Sequence, residues 1–174
     1  AVSYTPIVVM KKNTRLVLAP LAIVFAAATA LSAADWPRFR GPDGNGVTDL
    51  TGLPTAWNAT KNIAWVTPLP GPGASSPVAL GNKIFLTAYS GYGLDQRKPG
   101  DPAQLVYHLL CISATNGSIL WNKKIPAKNP EAKYSGAGAL HGYAAASPVV
   151  AADAVYATFG PNGVHAFDFS GKQL

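Results

Sequence analysis

Charge is scarce in this chain of 174 residues: Asp, Glu, Lys and Arg together make up 13%, and cysteine occurs once, as Cys111. Low charge beside an apolar share of 48% excludes a disordered chain, which needs the opposite balance. A lone cysteine excludes an internal disulfide framework and any multi-cysteine zinc site. No long window after residue 35 carries a helical period, and 17 Gly with 15 Pro argue against a helical bundle and for many turns. The scarcer sign is acidic, with 8 Asp+Glu against 14 Lys+Arg and a net charge of +6. That surplus does not make a nucleic-acid surface. Lys11, Lys12 and Arg15 provide half of it, while Arg38, Arg40 and Lys61 are scattered with no basic stripe among aromatics.

The basic cluster belongs to an address. Met10 is followed by Lys11, Lys12 and Arg15, then by an uncharged stretch from Leu16 to Ala30, then by Ser32, Ala33 and Ala34. A basic start, an apolar stretch and a small-residue cleavage site form a secretory signal peptide, here residues 10–34. Cleavage falls after Ala34 or Ala33. The apolar run is long enough to span a bilayer, so retention as an anchor is the alternative; Pro20 and the small-residue tail favour cleavage. Residues 1–9 precede the start methionine and are read as an upstream extension that is not native. The expected location is periplasmic or extracellular. The position just after the cleavage site is Ala or Asp and not Cys, so the mature chain is expected to be no lipoprotein and to keep no membrane attachment.

From residue 35 onward the chain is a series of short apolar runs between turn signals. Predicted strands are 76–79, 83–89, 105–113, 118–124, 147–150, 154–159 and 164–169. Asn45-Gly46, Asn116-Gly117 and Asn162-Gly163 predict type I′ turns, because both residue types tolerate positive backbone angles. The runs repeat. Ser76-Pro77-Val78 opens one unit and Ser147-Pro148-Val149 the next, each followed by a turn and an apolar strand (Lys83–Thr87, Ala154–Thr158). Each unit then has a third strand running into a glycine turn, Cys111–Gly117 and Ala166–Gly171, and the first continues to Trp121. Asn62-Ile63-Ala64-Trp65 matches the end of the same pattern, so Trp65 and Trp121 are equivalent positions. A repeat of roughly forty residues with about four strands is the arithmetic of a propeller blade, whose faces need neighbouring blades to cover them.

The third-strand-and-turn pattern resembles the Trp-docking motif of pyrroloquinoline-quinone (PQQ) repeat propellers, which runs Ala-x-Asp, a short spacer, Thr-Gly-Lys, two residues and Trp. Asp168, Gly171 and Lys172 match it, with Ser170 in the Thr place; Gly117 and Trp121 keep it, while Cys111, Ser113, Asn116 and Ser118 depart from it. The opening from Asp35-Trp36-Pro37-Arg38 to Asn45-Gly46, and His141-Gly142-Tyr143, are similar to exported bacterial members. The resemblance implies an all-β, quinoprotein alcohol dehydrogenase-like β-propeller of about eight blades when complete, of which this chain would hold about two. The expected layout is a lead-in with closing strands over 35–75, a blade over 76–127 with an insertion at 91–104, an interblade loop over 128–146, and the truncated start of a next blade over 147–174.

The resemblance also frames function. The expected role is an exported, non-catalytic binding or scaffold module for a protein or other ligand at a propeller face. The alternative is a PQQ- and calcium-dependent dehydrogenase with its site mostly in further blades. Family enzymes place a vicinal Cys–Cys pair beside the quinone, and this sequence has none; PQQ and calcium are implied by resemblance only. Fold does not imply activity, since propellers host many unrelated functions.

The residues themselves offer little catalytic chemistry. Cys111 takes the small buried place of the motif. Asp168 takes the motif position whose carboxylate binds its own turn. Trp65, Gly117, Trp121, Asp168, Gly171 and Lys172 are therefore structural. His108 and His165 fall inside strand patterns, and no histidine pair has metal-ligand spacing. Asp43-x-Asn45-Gly46 places its glycine too early for a calcium loop. Neither Gly71-Pro72-Gly73 nor Gly136-Ala137-Gly138 leads into a helix pattern that would cradle phosphate. The sequence offers no catalytic or metal-binding residue. His141 and Tyr143, in the glycine-rich interblade loop, are the candidate ligand- or partner-binding residues, because such loops commonly carry binding groups.

Overall fold

A computed structural model describes residues 35–128 and 131–174; the predicted upstream extension 1–9 and signal peptide 10–34 lie outside the described residues. Among the described residues the chain is mostly β, with seven strands in two antiparallel sheets and one helical turn. The first sheet has four strands in the order β1 (Val78–Leu80), β2 (Lys83–Ser90), β3 (Val106–Ser113) and β4 (Ile119–Pro126). The second has three, β5 (Val149–Ala151), β6 (Ala154–Thr158) and β7 (Val164–Asp168). The seven predicted strands all form, displaced by a residue or two at their ends. Pro126 closes β4, an edge strand where a missing N–H disrupts no ladder.

The 91–104 segment is a loop with one 3-10 turn, Pro102–Gln104, capped by Asp101, whose Oδ1 accepts from the Ala103 N–H at 2.9 Å. The loop after β4 contains a single helical turn, α1 (Ala137–His141), that the glycine-rich sequence did not announce. Residues 35–75 carry no strand, only the isolated bridges Trp36–Ala79 and Asn58–Lys61.

The two sheets are copies by register. Phe85 pairs with Cys111 in the first, and their counterparts Tyr156 and Ala166 pair in the second. Side chains alternate across each strand, so each sheet has two distinct faces. One face of the first sheet, with Val78, Phe85, Tyr107, Leu109 and Cys111, packs on Val150, Val155, Ala157 and Phe167 of the second. Burying each of the larger side chains contributes about 2–3 kcal/mol. The opposite face of the first sheet holds Ala88, Leu110 and Ile112 against Trp65. The stacking therefore has a direction: unlike faces meet.

Trp65 and Trp121 make matching contacts with the sheets that follow them in the chain. The Trp65 indole N–H donates to the Ala114 carbonyl at 3.0 Å, and that of Trp121 donates to the Phe169 carbonyl at 3.1 Å. Ala114 follows Ser113, and Phe169 follows Asp168, at equivalent places. Each ring lies over the turn glycine: a Cβ on Gly117 would stand 2.5 Å from Trp65 Cε3, and one on Gly171 would stand 3.1 Å from Trp121 Cδ2. Both glycines have positive φ, 74° and 87°. Lys123 Nζ lies 5.8 Å from the Trp121 ring, a cation–π contact over the same turn.

Asp168 organises the second turn. Its Oδ1 accepts from the Ser170 N–H at 2.9 Å, the Ser170 hydroxyl at 2.6 Å and the Lys172 N–H at 2.9 Å. The hydrogen bond from Ser170, with those from the backbone, holds its carboxyl below the usual aspartate range.

The lead-in touches the β1 and β5 edges of the two sheets. Trp36 exchanges backbone bonds with Ala79 of β1 at 2.8 and 2.9 Å, and the next carbonyl, of Pro37, accepts from Val150 N–H of β5 at 2.7 Å. The Ser76 N–H donates to Ser147 Oγ at 2.8 Å, tying the two Ser-Pro-Val openings together.

The expected type I′ turns do not form. Gly46, Gly117 and Gly163 have positive φ, while Asn45, Asn116 and Asn162 do not. Asn45 and Asn116 instead use Oδ1 to accept the N–H two residues on, at 2.9 and 3.0 Å, the bond of an Asx-turn. Asn162 sits in a 3-10 turn and its Oδ1 accepts from Lys128 N–H at 3.0 Å.

Candidate functional site

The long loops gather tyrosines at one end of the sheet pair. Tyr89 comes from the end of β2, Tyr92 from the loop after it, and Tyr134 and Tyr143 from the loop between β4 and β5. Tyr89 meets Tyr143 edge-on at 5.4 Å, Tyr92 stacks on Tyr143 at 5.6 Å, and Tyr134 lies 6.0 Å from Tyr143. Their hydroxyls hold the backbone. Tyr89 donates to the Gly93 carbonyl at 2.9 Å, Tyr143 donates to the Ala132 carbonyl at 2.8 Å, and Tyr92 accepts from the Tyr134 N–H at 3.2 Å. Burial pushes the Tyr89 phenol up to about 12 and raises that of Tyr143, so both stay protonated donors.

Beside this cluster the Tyr107 hydroxyl donates to Glu131 Oε1. Tyr107 is fully buried and stacks on Phe159 at 4.8 Å and 23°. Burial, then the carboxylate, raises its pKa well above the ordinary phenol value, so it remains a donor to Glu131. A cleft of about 190 Å³ opens here, lined by Glu131, Gly142, Tyr143, Ala145, Ala146, Thr158 and Gly160. It joins the loop that follows the first sheet to the end of β6 in the second.

Of the two candidate residues, the structure brings Tyr143 into this cleft and leaves His141 outside its lining, exposed at the end of α1. Glu131 carried no sequence signal: its partner is 24 residues away in a strand, and no motif links them.

The other histidines are held in the sheets. His108 is buried on the Trp65 face; its Nδ1 lies 3.0 Å from Asn122 Oδ1 and its Nε2 lies 2.8 Å from Ser90 Oγ. With Asn122 presenting its carbonyl, Nδ1 carries the proton and the Ser90 hydroxyl donates to Nε2. Burial holds this imidazole below the ordinary histidine pKa. His165, in β7, has a buried Nε2 with no hydrogen-bond partner. Cys111 is a free, fully buried thiol that burial pushes up to about 11, which suits core packing and not thiolate chemistry.

Among the described residues no group of three His, Cys, Asp or Glu side chains is placed to hold a metal ion. No helix among them is long and apolar enough to cross a membrane. The site is therefore a small cleft with one held carboxylate, one aromatic wall and a hydroxyl, built by loops on two sheets. No protein-family model and no curated protein sequence matches this chain.

Proposed function

We propose that the chain belongs to an exported PQQ-repeat β-propeller that acts as a non-catalytic binding or scaffold module, engaging a protein or other ligand at a loop-built face. The observation that carries this reading is the repeated tryptophan docking. Two indoles 56 positions apart donate to equivalent carbonyls over turn glycines, and the two sheets stack unlike face on unlike face. That is the packing a ring of blades needs.

The cleft supports a binding role. Its carboxylate accepts from a phenol that stays protonated, so it is held in the cleft as a hydrogen-bond acceptor. Export rests on the 10–34 pattern.

The test is a titration of the exported protein with PQQ in the presence of calcium, followed by an assay of alcohol-dependent dye reduction. No saturable quinone binding and no turnover is the expected result; saturable binding with turnover overturns the non-catalytic reading. Mass spectrometry of the exported protein should place its first residue at Ala34 or Asp35.

A further inference from the structure

We infer that the Glu131 cleft takes an alkylammonium group, that of a lysine side chain or a small primary amine. The inference rests on the binding role proposed above and names the chemistry of the ligand. Four observations converge on it.

The first is charge. Glu131 is half-buried in the cleft, and none of the other lining residues, Gly142, Tyr143, Ala145, Ala146, Thr158 and Gly160, carries a positive charge. A carboxylate partly removed from water is stabilised by a cation.

The second is positioning. Oε1 accepts from the buried Tyr107 hydroxyl, and a Cβ on Gly160 would lie 3.3 Å from Oε1 and 3.6 Å from Oε2. The carboxylate is thus seated on the Gly160 backbone and pinned from beneath.

The third is the wall. Tyr143 is fixed by its bond to Ala132 and by Tyr89 and Tyr92, so its ring orientation is set before a ligand arrives. An ammonium is attracted to such a ring by its quadrupole.

The fourth is geometry. Tyr107 takes one of the lone-pair sites of Oε1, which leaves fewer acceptor sites for the two parallel bonds of a guanidinium. An ammonium is a compact charge with three donors and needs no such fork. A volume of about 190 Å³ admits a short alkyl chain with its charged head.

The test uses the exported full chain and Nα-acetyl-lysine N-methylamide, with the norleucine counterpart as the uncharged control. The readouts are the Gly160 amide and Tyr143 ring resonances. The lysine derivative should shift both saturably while the norleucine derivative leaves them unmoved. Glu131→Gln keeps an acceptor for Tyr107, so the fold stays, but removes the charge and should weaken binding about tenfold or more. Raising salt from about 50 to about 300 mM should weaken wild-type binding as well. A parallel titration with n-butylamine separates the sources. Saturation by both probes assigns the site to any small amine, and saturation by the lysine derivative alone assigns it to a peptide lysine. Equal shifts from norleucine, no shift from either amine, or unchanged affinity in Glu131→Gln overturns the inference. The quinone titration is a separate readout, so this site and the non-catalytic reading fail independently.

Discussion

Single residues carry conformational penalties that the repeat makes visible. Gly81 and Ala152 occupy the same place in the two-residue turns that join β1 to β2 and β5 to β6. Both have φ of 53°, which an alanine adopts only under strain. Ala152→Gly should therefore stabilise the protein by about 1 kcal/mol, read as a rise in the urea midpoint, and Gly81→Ala should cost a similar amount. Gly117→Ala is more severe, because positive φ combines with the 2.5 Å approach of the Trp65 ring; about 2–3 kcal/mol should be lost. His108 gives a pH dependence with a definite sign. Its folded pKa lies below the unfolded value, so on acidification the unfolded chain binds the proton first. The stability it contributes is present in full above about pH 6.5 and is lost as pH falls towards the folded pKa. Urea midpoints measured across that window should fall on acidification, and His108→Gln should flatten the slope.

At the scale of elements, the strands were legible because apolar alternation and turn residues agree, and no competing helical period exists. The likeness of the two sheets was legible because Ser-Pro-Val and a glycine turn come in the same order in each, although the first is lengthened by the 91–104 loop. The Asn-Gly pairs misled because an asparagine can satisfy the turn with its own Oδ1 and leave its φ negative, as Asn45 and Asn116 do. Helix α1 was hidden by Gly136 and Gly138, whose propensity argues against helix and which tertiary context overrides. The cleft was half legible: the loop marked Tyr143, but Glu131 becomes meaningful only when folding sets it over Tyr107. Strain at Ala152 was invisible locally and shows only against Gly81. The docking element itself makes a prediction. Trp121 touches Phe85, Phe167 and Gly171, and its indole N–H is bonded. Trp121→Ala should cost about 3 kcal/mol in denaturant unfolding, and Trp121→Phe less, because the ring is kept while the bond to Phe169 goes.

Among the described residues, one sheet face lacks the cover that its counterpart has. Val78, Phe85, Thr87 and Leu109 of the first sheet are buried beneath the second. Their equivalents Val149, Tyr156, Thr158 and Val164 are exposed on the second sheet's outer face, with Val164 at 67%. A surface built like an interior invites association. Tyr156→Lys with Val164→Lys should lower the sedimentation-velocity weight average without lowering the urea midpoint, since neither side chain is in the core. The exposed lead-in residues Trp57 and Val66 lie outside the sheets and should not substitute for this face.

The direction of the tryptophan lock also sets an order in time. Trp65 precedes its acceptor carbonyl by 49 residues and Trp121 precedes its own by 48. A chain that emerges amino end first, from ribosome or translocation channel, thus always presents the indole before the turn that receives it. Each of these two indoles is made before the turn that receives it, so the segment that carries it waits for its acceptor.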